Sequence, residues 1–338
     1  MNLLPIVLGA SFAAAVTSFG LALLLMRGAR HLGLVDPPGG RKLQRHAVPL
    51  VGGALLAGVL AGGVAGTRVG GLPLEFADLL ALAVPLLCFV VGVVDDARLT
   101  GLTPGVKAFA TLLAFLPAMR GDAGWASVFE PRTLLAAAAA FAALHATNTI
   151  DHANGLCGLV AAIGAGCAAA AALEAEHGAA ALFAGLVGGS SVGFLALNYP
   201  AGRVFLGDSG SLLLGGCFAT ALIGSGRVEW LLLAAVPLAD LASVALLRLR
   251  AGVAPWQGDR RHSTHRLQAL GMREPVAVLL LAVVQLLCSL LAVPRLFTPA
   301  RPGAVTLVMG VIGVLAVGML FIPLPRATEA AAGEGKLP

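Results

Sequence analysis

The chain has 338 residues, of which 58% are hydrophobic and only 12% are charged, and its mean hydropathy is +0.92. Soluble domains carry about 25% charged residues, so this composition excludes a soluble globular protein. The net charge of +5 comes from basic residues dispersed between apolar segments, which excludes the dense basic patch of a nucleic-acid-binding protein.

Apolar segments follow one another along the whole chain. A spanning helix needs about 20 mostly apolar residues, and it must satisfy its own backbone hydrogen bonds in lipid. The pattern predicts an all-α polytopic integral membrane protein with about 11 transmembrane helices, and the fourth and eighth segments are short. The segments are 2–26, 49–66, 79–94, 106–119, 133–147, 156–173, 179–198, 210–224, 230–247, 276–294 and 304–323. We expect one membrane domain over 1–325 and a disordered cytoplasmic tail over 326–338.

The basic residues indicate the orientation of the chain. The first basic residue, Arg27, follows the first apolar segment, which is typical of a retained anchor rather than a cleaved signal. When loops are assigned alternately, 16 of the 22 basic residues lie on the side of the first loop and 6 on the other. The positive-inside rule then predicts an external N-terminus and a cytoplasmic C-terminus.

Two adjacent acids, Asp95 and Asp96, follow the third apolar segment. The C-terminal end of a helix is already negative, so each acid there costs about 0.3–1 kcal/mol. A cation would compensate, and Lys107 opens the next segment across a short loop. The arrangement favours a metal and phosphates held side by side, and the alternative is a solvated loop with chance acids.

Two further loops on the predicted cytoplasmic side carry polar groups. The loop after the first apolar segment holds a compact cationic group that includes Lys42 and His46. This group could bind a phosphate, or it could be a topology signal that contacts lipid headgroups. The loop after the fifth segment holds four oxygen or nitrogen donors, which are Asn148, Asp151, His152 and Asn154. Helix capping could explain one of these donors but not four in seven positions.

The last two cytoplasmic loops add an acid and a basic cluster. Asp208 precedes the eighth segment next to glycines that would let backbone N–H groups approach an anion, although a simple N-cap is a strong alternative. His262 and His265 share a face if helical and, with Arg266, favour phosphate binding over zinc or a solvated basic loop. Asp240 lies inside the ninth segment, where both a functional role and a buried structural partnership are open.

Four acids, Asp95, Asp96, Asp151 and Asp208, therefore come from three loops on one predicted face. Hard carboxylate oxygens suit Mg²⁺, with Mn²⁺ as the alternative, and Mg²⁺ often completes its shell with substrate phosphates. Carboxylates that hold a metal among cationic side chains are typical of phosphoryl transfer. The membrane setting indicates that one substrate is a lipid.

Five motifs in order resemble those of one family. They are RKLQRHAVPLVGG from Arg41, DD…K from Asp95, NTID from Asn148, PAGRVFLGDSGSL from Pro200 and DRRHSTHRL from Asp259. Over roughly 20 to 325 the chain resembles the polyprenyl-phosphate N-acetylhexosamine-1-phosphate transferases, the superfamily that contains MraY and WecA. Eleven spans with an external N-terminus resemble the WecA branch rather than the ten-span MraY branch.

This resemblance implies that a UDP-N-acetylhexosamine, with GlcNAc expected, reacts with a polyprenyl phosphate such as undecaprenyl phosphate. The reaction would take place on the cytoplasmic side of the inner membrane and would give a polyprenyl-diphospho-sugar and UMP. A homodimer is an open alternative for the oligomeric state. The implied catalytic residues are Asp95, Asp96, Asp151, Lys107, His262 and His265. The implied substrate-binding residues are Lys42, His46, Asn148, Asn154, Asn198 and Arg266. Asp208 and Asp151 would hold Mg²⁺.

The chain departs from the family pattern at two positions. Asn154 stands where the family often has an acid, and Thr264 stands where it often has a histidine. These changes leave open an inactive family member with a binding or regulatory role. A membrane transporter is a second alternative, but transport favours charges near the middle of the bilayer, where only Asp240 is expected.

Overall fold

The structure is a computed structural model that describes residues 3–29, 31–38, 46–69, 76–98, 101–120, 124–254, 257–258, 260–295 and 303–324. Its architecture is a bundle of α-helices with one short antiparallel strand pair. The helices are α1 (Leu4–Ala29), α2 (Gly52–Val69), α3 (Phe76–Asp96), α4 (Pro104–Ala114), α5 (Leu116–Met119), α6 (Pro131–Thr149), α7 (Leu156–Glu174), α8 (Gly178–Asn198), α9 (Gly207–Ser225), α10 (Ala235–Arg250), α11 (Ser263–Ala269), α12 (Glu274–Ala292) and α13 (Ala304–Leu320). The strands are β1 (Val35–Asp36) and β2 (Val48–Pro49), and 3₁₀ turns cover Trp125–Phe129, Val228–Ala234 and Val293–Arg295.

Several helices meet the requirements of a membrane span. Within the described residues, five are long and apolar enough to cross a membrane, namely Leu4–Ala29, Leu156–Glu174, Gly178–Asn198, Val228–Arg250 and Glu274–Arg295. The outer faces of the bundle carry large apolar side chains; Phe12 and Val314, for example, are each 73% exposed. Such surfaces are stable in lipid rather than in water, so the chain is a multi-pass membrane protein.

Each of the eleven predicted apolar segments falls on helical structure. The fourth is interrupted at Phe115, after which α5 begins with Leu116 and Pro117. Proline lacks the N–H that would continue the ladder of α4, which explains the break. The predicted disordered tail, 326–338, lies outside the described residues.

Helix α9 lies at the centre of the bundle and packs against α2, α3 and α6. Its first half is built largely from Gly, Ser and Leu, and small residues allow the backbones of neighbouring helices to approach closely. Gly92 of α3 is one such point, because a methyl group there would overlap the backbone of Ser209. The end of α3 that carries the two acids is thereby brought against the beginning of α9.

The first loop is also tied to the beginning of α9. Strands β1 and β2 pair antiparallel, and the Phe205 N–H then donates to the Pro49 carbonyl at 2.9 Å. The Gly52 N–H donates to the Phe205 carbonyl at 3.0 Å. These backbone bonds place the loop that precedes α2 at the same end of the bundle as the acids.

Candidate active site

The acid pair at the end of α3 faces a lysine on α4. Lys107 Nζ lies 2.8 Å from Asp95 Oδ2, and the Leu102 N–H donates to Asp95 Oδ1 at 2.5 Å. The same ammonium lies 3.3 Å from Asp208 Oδ1. Lys107 therefore joins two carboxylates from different helices, as the unfavourable end charges predicted.

Asp96 has a different set of partners from Asp95. Its Oδ1 accepts from the Asp208 N–H at 2.9 Å, and its Oδ2 accepts from the Ser209 N–H at 3.0 Å. These amides belong to the first turn of α9, so Asp96 caps that helix from a neighbouring one. Gly207 makes the approach possible, because it has φ +72° and a Cβ there would lie 2.6 Å from Asp96 Oδ2.

Asp208 does not act as an N-cap, although the sequence made that a strong alternative. The residue before α9 is Leu206, and no side chain caps the helix from that position. Instead Asn148 Nδ2 donates to Asp208 Oδ1 at 2.5 Å and also reaches Ser211 Oγ at 2.8 Å. The carboxylate of Asp208 is thus held toward Asn148 and Lys107 rather than toward its own backbone.

Asp151 lies in the turn between α6 and α7, close to the other acids. Burial raises the pKa of Asp151 well above its usual range, and the neighbouring carboxylates Asp208 and Asp96 add to this effect. Lys107 therefore pairs with two of the four carboxyl groups, Asp95 and Asp208, and Asp151 lies near Asp208 and Asp96. More acids than ammonium groups meet here, and a bound cation would offset their charge. Within the described residues no group of three or more His, Cys, Asp or Glu side chains is arranged to hold a metal ion.

This donor set nevertheless fits magnesium. Mg²⁺ is usually bound by one or two carboxylates together with water and substrate phosphates, not by a dedicated all-protein cage. Asp208 and Asp151 offer hard carboxylate oxygens, and the ammonium of Lys107 next to Asp208 could pair with a substrate phosphate. The predicted metal role of these two acids stays a prediction.

A cluster of histidines adjoins the acids. The rings of His152 and His262 have centroids 4.3 Å apart, and those of His152 and His265 are 5.0 Å apart. His152 Nε2 is hydrogen-bonded to Thr264 Oγ1, and its Nδ1 lies 2.8 Å from the Thr149 carbonyl. Burial, aided by neighbouring His262, lowers the pKa of His152 to about 3, so this ring is neutral.

Asp240 orients His262, the residue immediately before α11. His262 Nδ1 donates to Asp240 Oδ2 at 2.6 Å, and the Ser263 N–H donates to Asp240 Oδ1 at 2.7 Å. Asp240 is fully buried in α10, so both carboxylate oxygens are satisfied by this one segment. The sequence left open a functional role or a buried structural role for Asp240. The structure shows a buried acid that is hydrogen-bonded to a candidate site residue, His262.

The remaining predicted substrate-binding residues are placed as follows. Lys42 lies outside the described residues, and His46 is exposed just before β2. Asn198 is buried and joins two backbone groups, since its Oδ1 accepts from the Gly155 N–H at 2.7 Å and its Nδ2 donates to the Val204 carbonyl at 2.8 Å. The Asn154 side chain lies against Gly202.

Arg266 is 1% exposed, and its guanidinium donates to the Ile322 carbonyl beyond α13. The structure therefore does not bring Arg266 or Asn198 among the acids as it does Asn148.

Two residues that complete the histidine cluster, His152 and Asp240, are not among the predicted site residues. The signals available for them were a histidine in a donor-rich loop and an acid within an apolar segment.

Comparisons with known proteins identify the family of this chain. The model of the family "Glycosyl transferase family 4" matches residues 79–226, which contain all four acids and Lys107. A decaprenyl-phosphate N-acetylglucosaminephosphotransferase of Mycolicibacterium smegmatis is 27% identical over 93% of this chain and 87% of its own length. An undecaprenyl-phosphate alpha-N-acetylglucosaminyl 1-phosphate transferase of Yersinia pestis is 27% identical over 81% of each chain. A phospho-N-acetylmuramoyl-pentapeptide-transferase of Synechococcus is 33% identical over 72% of each chain.

These matches confirm the superfamily that the five motifs indicate, and the two N-acetylglucosamine enzymes support the predicted branch. They span most of both chains, so the likeness extends beyond the acid motifs. The chain belongs to glycosyl transferase family 4, the polyprenyl-phosphate N-acetylhexosamine-1-phosphate transferase superfamily.

Proposed function

We propose that this protein transfers N-acetylglucosamine 1-phosphate from UDP-N-acetylglucosamine to a polyprenyl phosphate, with release of UMP. The observation that carries the proposal is the joint contact of Lys107 with Asp95 and Asp208, next to two further carboxylates and a histidine cluster. The names of the relatives from M. smegmatis and Y. pestis supply the sugar and the class of lipid.

In the proposed reaction an oxygen of the lipid phosphate attacks the sugar-linked phosphorus of the donor. A new P–O–P bond forms, and the bond from that phosphorus to the bridging oxygen breaks, so that UMP leaves with the bridging oxygen. Asp95 orients the lipid phosphate, because both oxygens of Asp96 already accept amides of α9. Lys107, His262 and His265 neutralise phosphate charge in the transition state.

Magnesium, with Mn²⁺ as a substitute, would be held by Asp208 and Asp151. When bound, it would neutralise negative charge on the donor diphosphate. Asn148 would keep the Asp208 carboxylate turned toward the metal position, since its amide already bonds to that carboxylate. Lys42 and His46 would bind at the lipid-phosphate end.

The proposed topology has eleven spans, an external N-terminus and an active site on the cytoplasmic side of the inner membrane. Its support is the distribution of basic residues together with the helices that coincide with all eleven apolar segments. The acids lie at helix ends rather than within the bilayer, which favours a transferase over a transporter.

The test is UMP release by the purified protein in detergent, with undecaprenyl phosphate, a panel of UDP-sugars, and either Mg²⁺ or a chelator. We expect UMP only when lipid, metal and UDP-N-acetylglucosamine are all present. Asp208→Asn should abolish release, whereas Asp78→Asn, at the other end of α3, should not change it. No UMP from any donor with folded wild-type protein would contradict the proposal and favour an inactive family member.

A further inference from the structure

Thr264 of α11 contacts His152, a residue of the turn between α6 and α7. Thr264 is fully buried, and it stands at the position where the motif that DRRHSTHRL resembles often has a histidine. Its hydroxyl is hydrogen-bonded to Nε2 of His152, which belongs to the turn between α6 and α7. An imidazole thus reaches position 264 from a different loop.

The hydrogen bonds determine which ring nitrogen of His152 carries the proton. Nδ1 lies 2.8 Å from the Thr149 carbonyl, and a carbonyl oxygen can only accept, so Nδ1 carries the hydrogen. Nε2 of the neutral ring is then an acceptor, and the Thr264 hydroxyl must donate to it. Both nitrogens are therefore engaged, and the orientation of the ring is set at both of its ends.

The ring also contacts the two histidines of the DRRHSTHRL motif. Its centroid lies 4.3 Å from that of His262 and 5.0 Å from that of His265. Three imidazoles are consequently grouped in one place although the motif supplies only two. His152 directly follows Asp151, so the same turn that carries a proposed metal ligand also contacts the start of α11.

We propose that His152 replaces the histidine missing at position 264, and that it acts as a positioning residue joining the turn of Asp151 to His262 and His265 at the start of α11. The proposal rests on the transferase function proposed above. In this arrangement His152 does not touch the substrate. It holds His262 and His265 at a fixed separation from the carboxylates, so that both ends of a diphosphate can be bound at once.

The test is a reciprocal exchange. His152→Ala should lower kcat roughly 10- to 100-fold, as the loss of residues that orient a site commonly does, with a smaller change in KM for the UDP-sugar. Thr264→His alone should also lower kcat, because it adds a ring where His152 already fills the space. The double variant His152→Ala/Thr264→His should recover at least roughly tenfold over His152→Ala, because the two changes then compensate each other.

The melting temperatures of the same four proteins give a second readout that does not need turnover. We expect the two substitutions to be non-additive there as well, with the double variant more stable than the sum of the single effects. His152→Gln, which can still accept from Thr264 but lacks a ring, should fall between wild type and His152→Ala in kcat. His31→Ala, an exposed histidine after α1, is the matched control and should leave both readouts unchanged.

A folded His152→Ala variant with wild-type kcat would overturn the inference. So would a double variant that is no more active and no more stable than the single variants predict together. If the wild-type protein itself releases no UMP, the proposed function fails, but the stability cycle still decides whether positions 152 and 264 form a compensating pair.

Discussion

Asp240 and His262 form a buried hydrogen-bonded pair, with Oδ2 of the acid 2.6 Å from Nδ1 of the histidine. The acid belongs to α10 and the histidine immediately precedes α11, so the bond fixes the short helix against the bundle. With Nδ1–H donating to Asp240, Nε2 of His262 is the nitrogen left for the proposed contact with phosphate. The pair therefore links a charge inside an apolar helix to the candidate site.

Asp240→Asn tests this link, because it keeps the size of the side chain and removes its charge. A charge-assisted hydrogen bond is worth about 1.5–3 kcal/mol, so kcat should fall roughly 10- to 150-fold. Glu229→Gln is the matched control, since Glu229 is also a buried acid but pairs with Arg227 away from the acids and histidines. Equal kcat values for wild type and Asp240→Asn would show that the pair is structural only.

Lys107→Met should remove a cation that contacts two carboxylates while keeping a long apolar side chain. We expect kcat to fall by about 10²-fold, the usual cost of losing a group that stabilises transition-state charge. Mg²⁺ activation should not weaken, because the acids then lack their competing ammonium. Steady-state UMP release at varied Mg²⁺ measures both quantities. A higher Mg²⁺ requirement in the variant would contradict this placement of Lys107.

Asp96 should affect stability as well as activity, since both of its oxygens cap α9. Asp96→Ala leaves two amides of the first turn without their partner, at a cost of about 1 kcal/mol. For a protein of this size we expect the melting temperature to fall by about 2 °C. Asp96→Asn keeps one acceptor oxygen and should show a smaller fall. Wild-type melting temperatures for both variants would contradict the capping role.

Gly92 tests the close contact of α3 with α9. Gly92→Ala places a methyl group on the backbone of Ser209 and should cost about 1–3 kcal/mol. Because Ser209 adjoins Asp208, we also expect UMP release to fall. Gly62→Ala in α2 is the matched control, since a Cβ there meets no atom within 4 Å. Thermal unfolding of the two variants in detergent compares them, and equal stability would contradict the packing of these helices.

Much of this arrangement follows from local patterns in the sequence. Apolar length predicts the helices, and the macrodipole argument predicts that Asp95 at the end of α3 needs a cation, which Lys107 supplies. These predictions succeed because they depend on single helices or on two helices that follow each other directly in the sequence.

Other features depend on which helices meet, and no local pattern contains that information. Asp208 precedes an apolar run as an N-cap would, yet Asp96 from α3 provides the cap and leaves Asp208 free to bind Asn148. His152 resembles one more polar loop residue until Thr264, 112 positions away, is seen beside it. Contacts of this kind are determined by the tertiary packing around α9 and α11.

The pKa of Asp151 leads to a prediction about pH. An ordinary aspartate titrates near pH 3.9, but burial and the nearby acids raise the pKa of this carboxyl well above that value. A carboxyl must lose its proton to bind a metal, so protons compete with Mg²⁺ as the pH falls through the raised pKa. Burial also raises the pKa of Asp208, the second proposed ligand, to about 6. The Mg²⁺ concentration for half-maximal UMP release should therefore rise as the pH is lowered through about 6, and saturating Mg²⁺ should restore most of the lost rate. A half-maximal concentration that stays constant across this pH would exclude Asp208 as a metal ligand that titrates there. A loss of rate that excess Mg²⁺ does not restore would place the titrating group elsewhere in the site.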